Sequence, residues 1–168
     1  MSDVRMSPYE LFGLPETYAL DETLLAERHR AAMQKVHPDR FADRSAAERR
    51  VAEQWSAVIN EAFETLKSPV KRAVWLAKKR GAEVEIEGQV RMPADFLMKQ
   101  LDWRERLEEA DETERRALLE EVESEAKSLE AALEAAFDRE NDPVRGADLA
   151  RRLLFIVKFL QDARRASA

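Results

Sequence analysis

An all-α fold built as two helical domains is what this sequence predicts, and three observations carry that expectation. Gly and Pro number only 4 and 6 in 168 residues while charged residues reach 37%, the composition of long helices with solvated faces. Ser, Asp and Pro recur in the order that opens helices. No segment alternates apolar and polar residues as a half-buried strand does. Apolar residues, 45% of the chain, suffice for a core in each of two small domains.

The elements follow in order. Ser7-Pro8-Tyr9-Glu10 reads as a capping box with proline at the first helical position, and Gly13 closes that short helix. Asp21 caps a second helix through about Val36, with Leu24, Leu25, Ala32 and Val36 near helical spacing. Pro38 stops it, because the residue before a proline is pushed out of the α region. A polar loop over 37–44 leads to Ser45 and Glu48, a second capping box. The helix it opens runs to about Lys67 and is predicted to turn Val51, Trp55, Val58, Ile59, Ala62 and Leu66 inward. Ser68-Pro69 opens a shorter helix that ends at Gly81. The stretch 82–92 contains Gly88, lacks helical periodicity and reads as a linker. Beyond Pro93, helices are predicted over 94–110, 112–140 and 143–166, with Asp111/Glu114 and Asp142-Pro143 as start signals. The domains are therefore a four-helix unit at 1–81, a linker at 82–92 and a three-helix bundle at 93–168.

Composition excludes several classes of function. Residues 1–80 carry 14 Lys/Arg against 12 Asp/Glu, whereas residues 81–168 carry 14 against 22. That acidic half argues against nucleic acid as a partner. Cysteine is absent, which removes disulfides, thiolate nucleophiles and Cys-based metal or cluster sites and fits a reducing, cytoplasmic setting. Residues 1–10 hold no apolar stretch of the kind a secretory signal needs, and the longest apolar run, 153–157, is far too short to cross a bilayer, so no membrane partner is expected. There is no Gly-rich phosphate loop and no nucleophile elbow. No catalytic residue, cofactor or metal is assigned; His37 and Asp39 have only His29, on a helix, to help them as ligands.

The sharpest feature is His37-Pro38-Asp39, set between two antiparallel helices and just beyond a helix bearing Arg28, Arg30 and Lys35. As a bare helix stop the tripeptide needs only its proline. As a recognition corner every member has a use. Pro38 stiffens the loop, so docking costs less entropy. Asp39 offers a carboxylate to an arginine of a partner. His37 orients the loop through either ring nitrogen. The basic residues read either as a solvated face or as a surface that steers an acidic partner. Tyr9-Glu10-Leu11-Phe12-Gly13-Leu14, the basic second helix, the His37-Pro38-Asp39 corner and Asn60-Glu61-Ala62-Phe63-Glu64-Thr65-Leu66 together resemble the J domain in order and spacing. The resemblance implies binding to a DnaK-type ATPase and stimulation of its ATP hydrolysis, with His37, Pro38, Asp39, Arg28, Arg30 and Lys35 as the chaperone-binding residues.

The second half supplies an apolar surplus. At 100° per residue, Phe96, Trp103 and Leu107 share one stripe, while Leu97 and Leu101 fall about a third of a turn away with Met98 beyond them. In the last helix Leu149, Leu153, Ile156 and Leu160 share a stripe, and Phe155 and Phe159 point elsewhere. The extra positions either widen the core or form an exposed patch. Residues 94–140 carry 16 acidic and 7 basic residues, read as a solvated surface with intrahelical pairs such as Glu123 with Lys127 and a secondary attraction for a basic partner.

The run from Pro93 to Glu105, Phe96-Leu97-Met98-Lys99-Gln100-Leu101-Asp102-Trp103 at its centre, and the late helix Arg152-Leu153-Leu154-Phe155-Ile156-Val157-Lys158-Phe159-Leu160 resemble the C-terminal domain of HscB proteins. With the J-like half, the resemblance spans nearly the whole chain, and neither a Gly/Phe-rich linker nor a zinc module interrupts it. It implies an L-shaped, non-enzymatic co-chaperone that stimulates an HscA/DnaK-type ATPase and brings it an IscU-type iron–sulfur cluster scaffold. It places scaffold binding on Leu97, Leu101 and Phe155, with Met98 nearby and Asp102 and Glu105 as acidic neighbours. Between Phe155 and Phe159 only the resemblance chooses, favouring Phe155 as the exposed ring. Lys99 departs from the pattern, standing where an acidic residue would suit. The alternative reading is a general J-domain co-chaperone for unfolded clients.

Overall fold

The structure is a computed structural model; it describes residues 6–86 and 92–166. Part of the expected linker, 87–91 with its Gly88, lies outside the described residues, as do residues 1–5. Among the described residues there are helices and no strands: α1 (Pro8–Leu11), α2 (Glu22–Lys35), a 3-10 turn (Pro38–Phe41), α3 (Ala46–Lys67), α4 (Pro69–Lys79), α5 (Ala94–Glu109), α6 (Glu112–Glu134), a π-helical turn (Ala135–Arg139) and α7 (Pro143–Arg165). The chain divides into two compact units, Met1–Trp75 and Leu76–Ala168, and the division falls inside α4.

The start signals work as expected. Ser7 accepts the Glu10 N–H while Glu10 accepts that of Ser7, and Asp111 and Glu114 do the same. Asp21, Ser68 and Asp142 accept from Leu24, Lys71 and Arg145. At Ser45 only half of the box forms: the hydroxyl accepts from the Glu48 N–H at 3.1 Å but donates to the Glu48 carboxylate, so that carboxylate serves the hydroxyl.

In the first unit α2 and α3 form an antiparallel hairpin. His29 Nε2 is 2.9 Å from Asn60 Oδ1 and the imidazole stacks on Phe63 at 4.0 Å, while Met33, one turn later, meets Ser56, one turn earlier. The α3 residues that face inward are Ala52, Ile59, Ala62 and Leu66. Val51, Trp55 and Val58 were expected inward and are exposed instead. Ala52, Ile59 and Leu66 recur every seven residues and hold the packed direction; Val51, Trp55 and Val58 lie to one side of it and stay about half exposed. Arg72 is buried yet satisfied: its Nε donates to the Leu66 carbonyl at the end of α3 at 2.9 Å, its Nη1 to the Tyr18 carbonyl at 2.8 Å, and its guanidinium lies over the Tyr18 ring. A cation at a helix C-terminus also complements the helix dipole.

In the second unit α5, α6 and α7 enclose a core of Phe96, Trp103, Leu118, Val122, Ile156, Phe159 and Leu160. The expected long middle helix ends in a π turn. Here Phe137 points inward, Arg80 Nη1 donates to the Phe137 carbonyl at 2.7 Å, and Asn141 adopts a positive φ of 49° before Asp142 caps α7. Residues 82–86 carry neither helix nor strand, with Ala82 and Val84 buried.

Candidate functional site

The first candidate surface is the corner between α2 and α3. Val36 ends α2, and His37 leads into the 3-10 turn with proline as its first residue. All three residues of the corner are exposed, and the Asp39 side chain is almost wholly so. The Asp39 N–H donates to His37 Nδ1 at 3.2 Å, and an Asp39 carboxylate oxygen lies 3.6 Å from the same nitrogen. An imidazole that accepts at Nδ1 carries its proton on Nε2. The corner thus presents one ring donor and one carboxylate on a short, proline-fixed turn, the chemistry for pairing with a polar or cationic surface of another protein.

The basic residues of α2 are not one face. Arg28 and Lys35 are two turns apart and line the same groove against α3, whereas Arg30 projects about 160° away around the helix axis. Arg28 is partly committed to the fold: its Nη1 donates to the Phe12 carbonyl at 2.7 Å. Lys35 and Arg30 are exposed. Sequence spacing alone held the 28/35 pairing; only the packed hairpin shows which side α3 takes.

The second candidate surface is the outer side of α5. Phe96 and Trp103 are buried, and Leu97, Met98 and Leu101 are 49%, 66% and 53% exposed. Three large apolar side chains on two turns of one helix form an uncovered patch. Phe159 belongs to the core, tilted against Trp103 at 5.7 Å. Phe155 is half-buried, edge-on to Phe96 at 6.4 Å, and so reaches the surface beside the residue that precedes Leu97. Asp102 and Glu105 are exposed on the same helix. Asp102 lies 3.6 Å from Arg106, whose other partner is Glu121 at 2.6 Å. The hydrogen bond that Arg106 donates to Glu121 holds its guanidinium above even its usual high pKa, against the opposing effect of desolvation. Lys99 turns away from the patch: its ammonium reaches Glu125 on α6 at 2.8 Å and lies over the Trp103 ring at 5.9 Å. Sequence reading had no signal for that pairing, because the two residues lie on different helices. Glu123, expected to pair with Lys127, accepts instead from Arg164 on α7.

Among the described residues no group of three or more His, Cys, Asp or Glu side chains could hold a metal ion, and no helix is long and apolar enough to cross a membrane.

The chain as a whole has relatives among known proteins. Over 94% of its length the chain is 44% identical to a protein of Cupriavidus taiwanensis named co-chaperone protein HscB homolog, 92% of which it covers. The chain belongs to the HscB family. A Bordetella avium protein of the same name is 41% identical over 92% of the chain and 93% of its own length. Residues 92–164 match the family described as HSCB C-terminal oligomerisation domain. Among solved structures, chaperone HscB from Vibrio cholerae superposes with a TM-score of 0.87 at 35% identity, over 96% of this chain and 98% of that one. Human co-chaperone protein HscB, at 23% identity, shares the fold with a TM-score of 0.91, over 98% of this chain and 84% of its own. As an HscB-family protein the chain is a co-chaperone, with a role in iron–sulfur cluster assembly.

Proposed function

We propose that this HscB-family chain is a two-site adaptor. Its first unit engages the ATP-bound form of an HscA/DnaK-type chaperone and stimulates hydrolysis; its second unit carries an IscU-type cluster scaffold to that chaperone. The exposed His37-Pro38-Asp39 corner carries the reading, because its stiff, solvent-facing imidazole and carboxylate touch only one another among the described side chains. The uncovered Leu97, Met98 and Leu101, flanked by Asp102, Glu105 and the half-buried Phe155, support the second site. Arg30 and Lys35, and the part of Arg28 not spent on Phe12, add positive charge that steers an acidic partner. The chain needs no nucleotide site of its own, since it acts on the turnover of another protein, and it acts as an adaptor and not as an enzyme. Holding client and ATPase on one chain raises the effective concentration of each for the other. The expected domains are a J domain at 1–81 and a scaffold-binding domain at 93–168, working in the cytoplasm.

The test is the ATPase rate of the purified chaperone with this protein, with and without scaffold. Stimulation by the chain, raised further by scaffold, is expected; a rate indifferent to the chain sinks the reading. The second reading, a general J-domain co-chaperone, shares the corner but not the patch. Capture of unfolded polypeptide with no capture of purified scaffold would favour it.

A further inference from the structure

Helix α3 exposes Val51, Trp55 and Val58, at 51%, 43% and 47%. Steps of four and three residues keep them within about 60° around the helix, so they form one stripe. Trp55 also walls a groove of about 500 Å³ with Ile59, Leu11 and Val36, and with the cations Arg28 and Lys35. Glu10, at the α1 end of the groove, accepts the Ser7 N–H in its capping box. The groove lining runs along α2 to Lys35 and Val36, the residues immediately before His37 in the chain, so the groove ends beside the corner. Neither fold nor proposed trigger uses the stripe. A tryptophan set among exposed aliphatics is the kind of residue on which interfaces concentrate binding energy.

We propose that the α3 stripe and its groove are a second docking surface for the DnaK-type chaperone, seating an apolar segment with acidic flanks. The inference rests on the chaperone reading above and divides the labour within it: the corner triggers hydrolysis, and the stripe anchors. The occupant follows from chemistry and place. The groove has an apolar floor and two cations on one wall, which fits an apolar segment bearing carboxylates. Its end beside the corner puts it within reach of any protein that engages Asp39.

Chaperone ATPase is titrated with the full chain in four forms: unchanged, Trp55→Gln, Val58→Glu and His37→Gln. Circular dichroism checks each fold, and light scattering checks association. Trp55→Gln and Val58→Glu are expected to raise the half-saturating concentration by about tenfold or more while keeping the maximal stimulated rate. His37→Gln is expected to abolish the maximal rate. If His37→Gln does so and both α3 variants titrate like the unchanged chain, this inference fails alone. It fails also if the α3 variants lower the maximal rate at unchanged half-saturation, or if they alter only self-association. If the unchanged chain neither stimulates nor binds the ATP-bound chaperone in calorimetry, both readings fall together.

Discussion

The backbone N–H of Asp39 donates to Nδ1 of His37 at 3.2 Å, so the two polar members of the corner hold one another across the proline between them. The bond is exposed and lies at the tip of the hairpin, away from the buried α3 residues. His37→Gln is therefore expected to leave the chain folded, within ~0.5 kcal/mol of the unchanged protein as for most exposed substitutions. ATPase stimulation is expected to be lost. Retained stimulation in a titration against the chaperone would remove the corner from the mechanism.

On α5 the exposed and buried residues separate two kinds of loss. Leu97→Ala with Leu101→Ala removes side chains that are about half exposed, so each should cost below ~1 kcal/mol in chemical denaturation while scaffold capture falls. Trp103→Ala empties a buried site in the same helix and should cost ~3–5 kcal/mol. Equal destabilisation by both changes would show that the patch is core.

Lys99 should not decide scaffold recognition, because its charge is drawn to Glu125 at 2.8 Å and to the Trp103 ring. Both partners of the ion pair are partly exposed, so Lys99→Ala should change stability by only ~0.2–1 kcal/mol. Scaffold affinity measured by calorimetry should stay within about threefold. A larger gain or loss would place the ammonium in the interface.

Arg72 is a buried charge of the first unit, donating to the carbonyls of Leu66 and Tyr18. Arg72→Met fills similar space but leaves both acceptors without these bonds, at a cost of ~2–5 kcal/mol in urea unfolding. A neutral outcome would mean that water replaces the guanidinium.

Gly146 lies against the ring of Phe137, and a methyl group there would overlap three ring carbons. Gly146→Ala should destabilise by ~1–3 kcal/mol through overpacking, despite the better helix propensity of alanine. Thermal unfolding of Gly146→Ala in a Phe137→Leu background, where the ring is absent, should recover part of that loss. No recovery would assign the strain to the backbone.

The sequence by itself determined most of the helices and their caps, and the directions in which the α5 side chains leave their own helix. These are local matters: a Ser or Asp hydroxyl or carboxylate caps the N–H three residues on, proline stops α2 at Val36, two residues ahead of it, and Phe96 and Leu97 must point in different directions on any helix. Tertiary structure decided what depends on which neighbour arrives. Val51, Trp55 and Val58 share a helix with Ile59, yet Ile59 is buried while those three stay about half exposed. Phe159 rather than Phe155 enters the core because Trp103 stands opposite it. Lys99 meets Glu125, and Glu123 meets Arg164, across gaps no helical period encodes. Period fixes the direction of a side chain about its own axis; only the packing of helices fixes whether another chain segment lies in that direction.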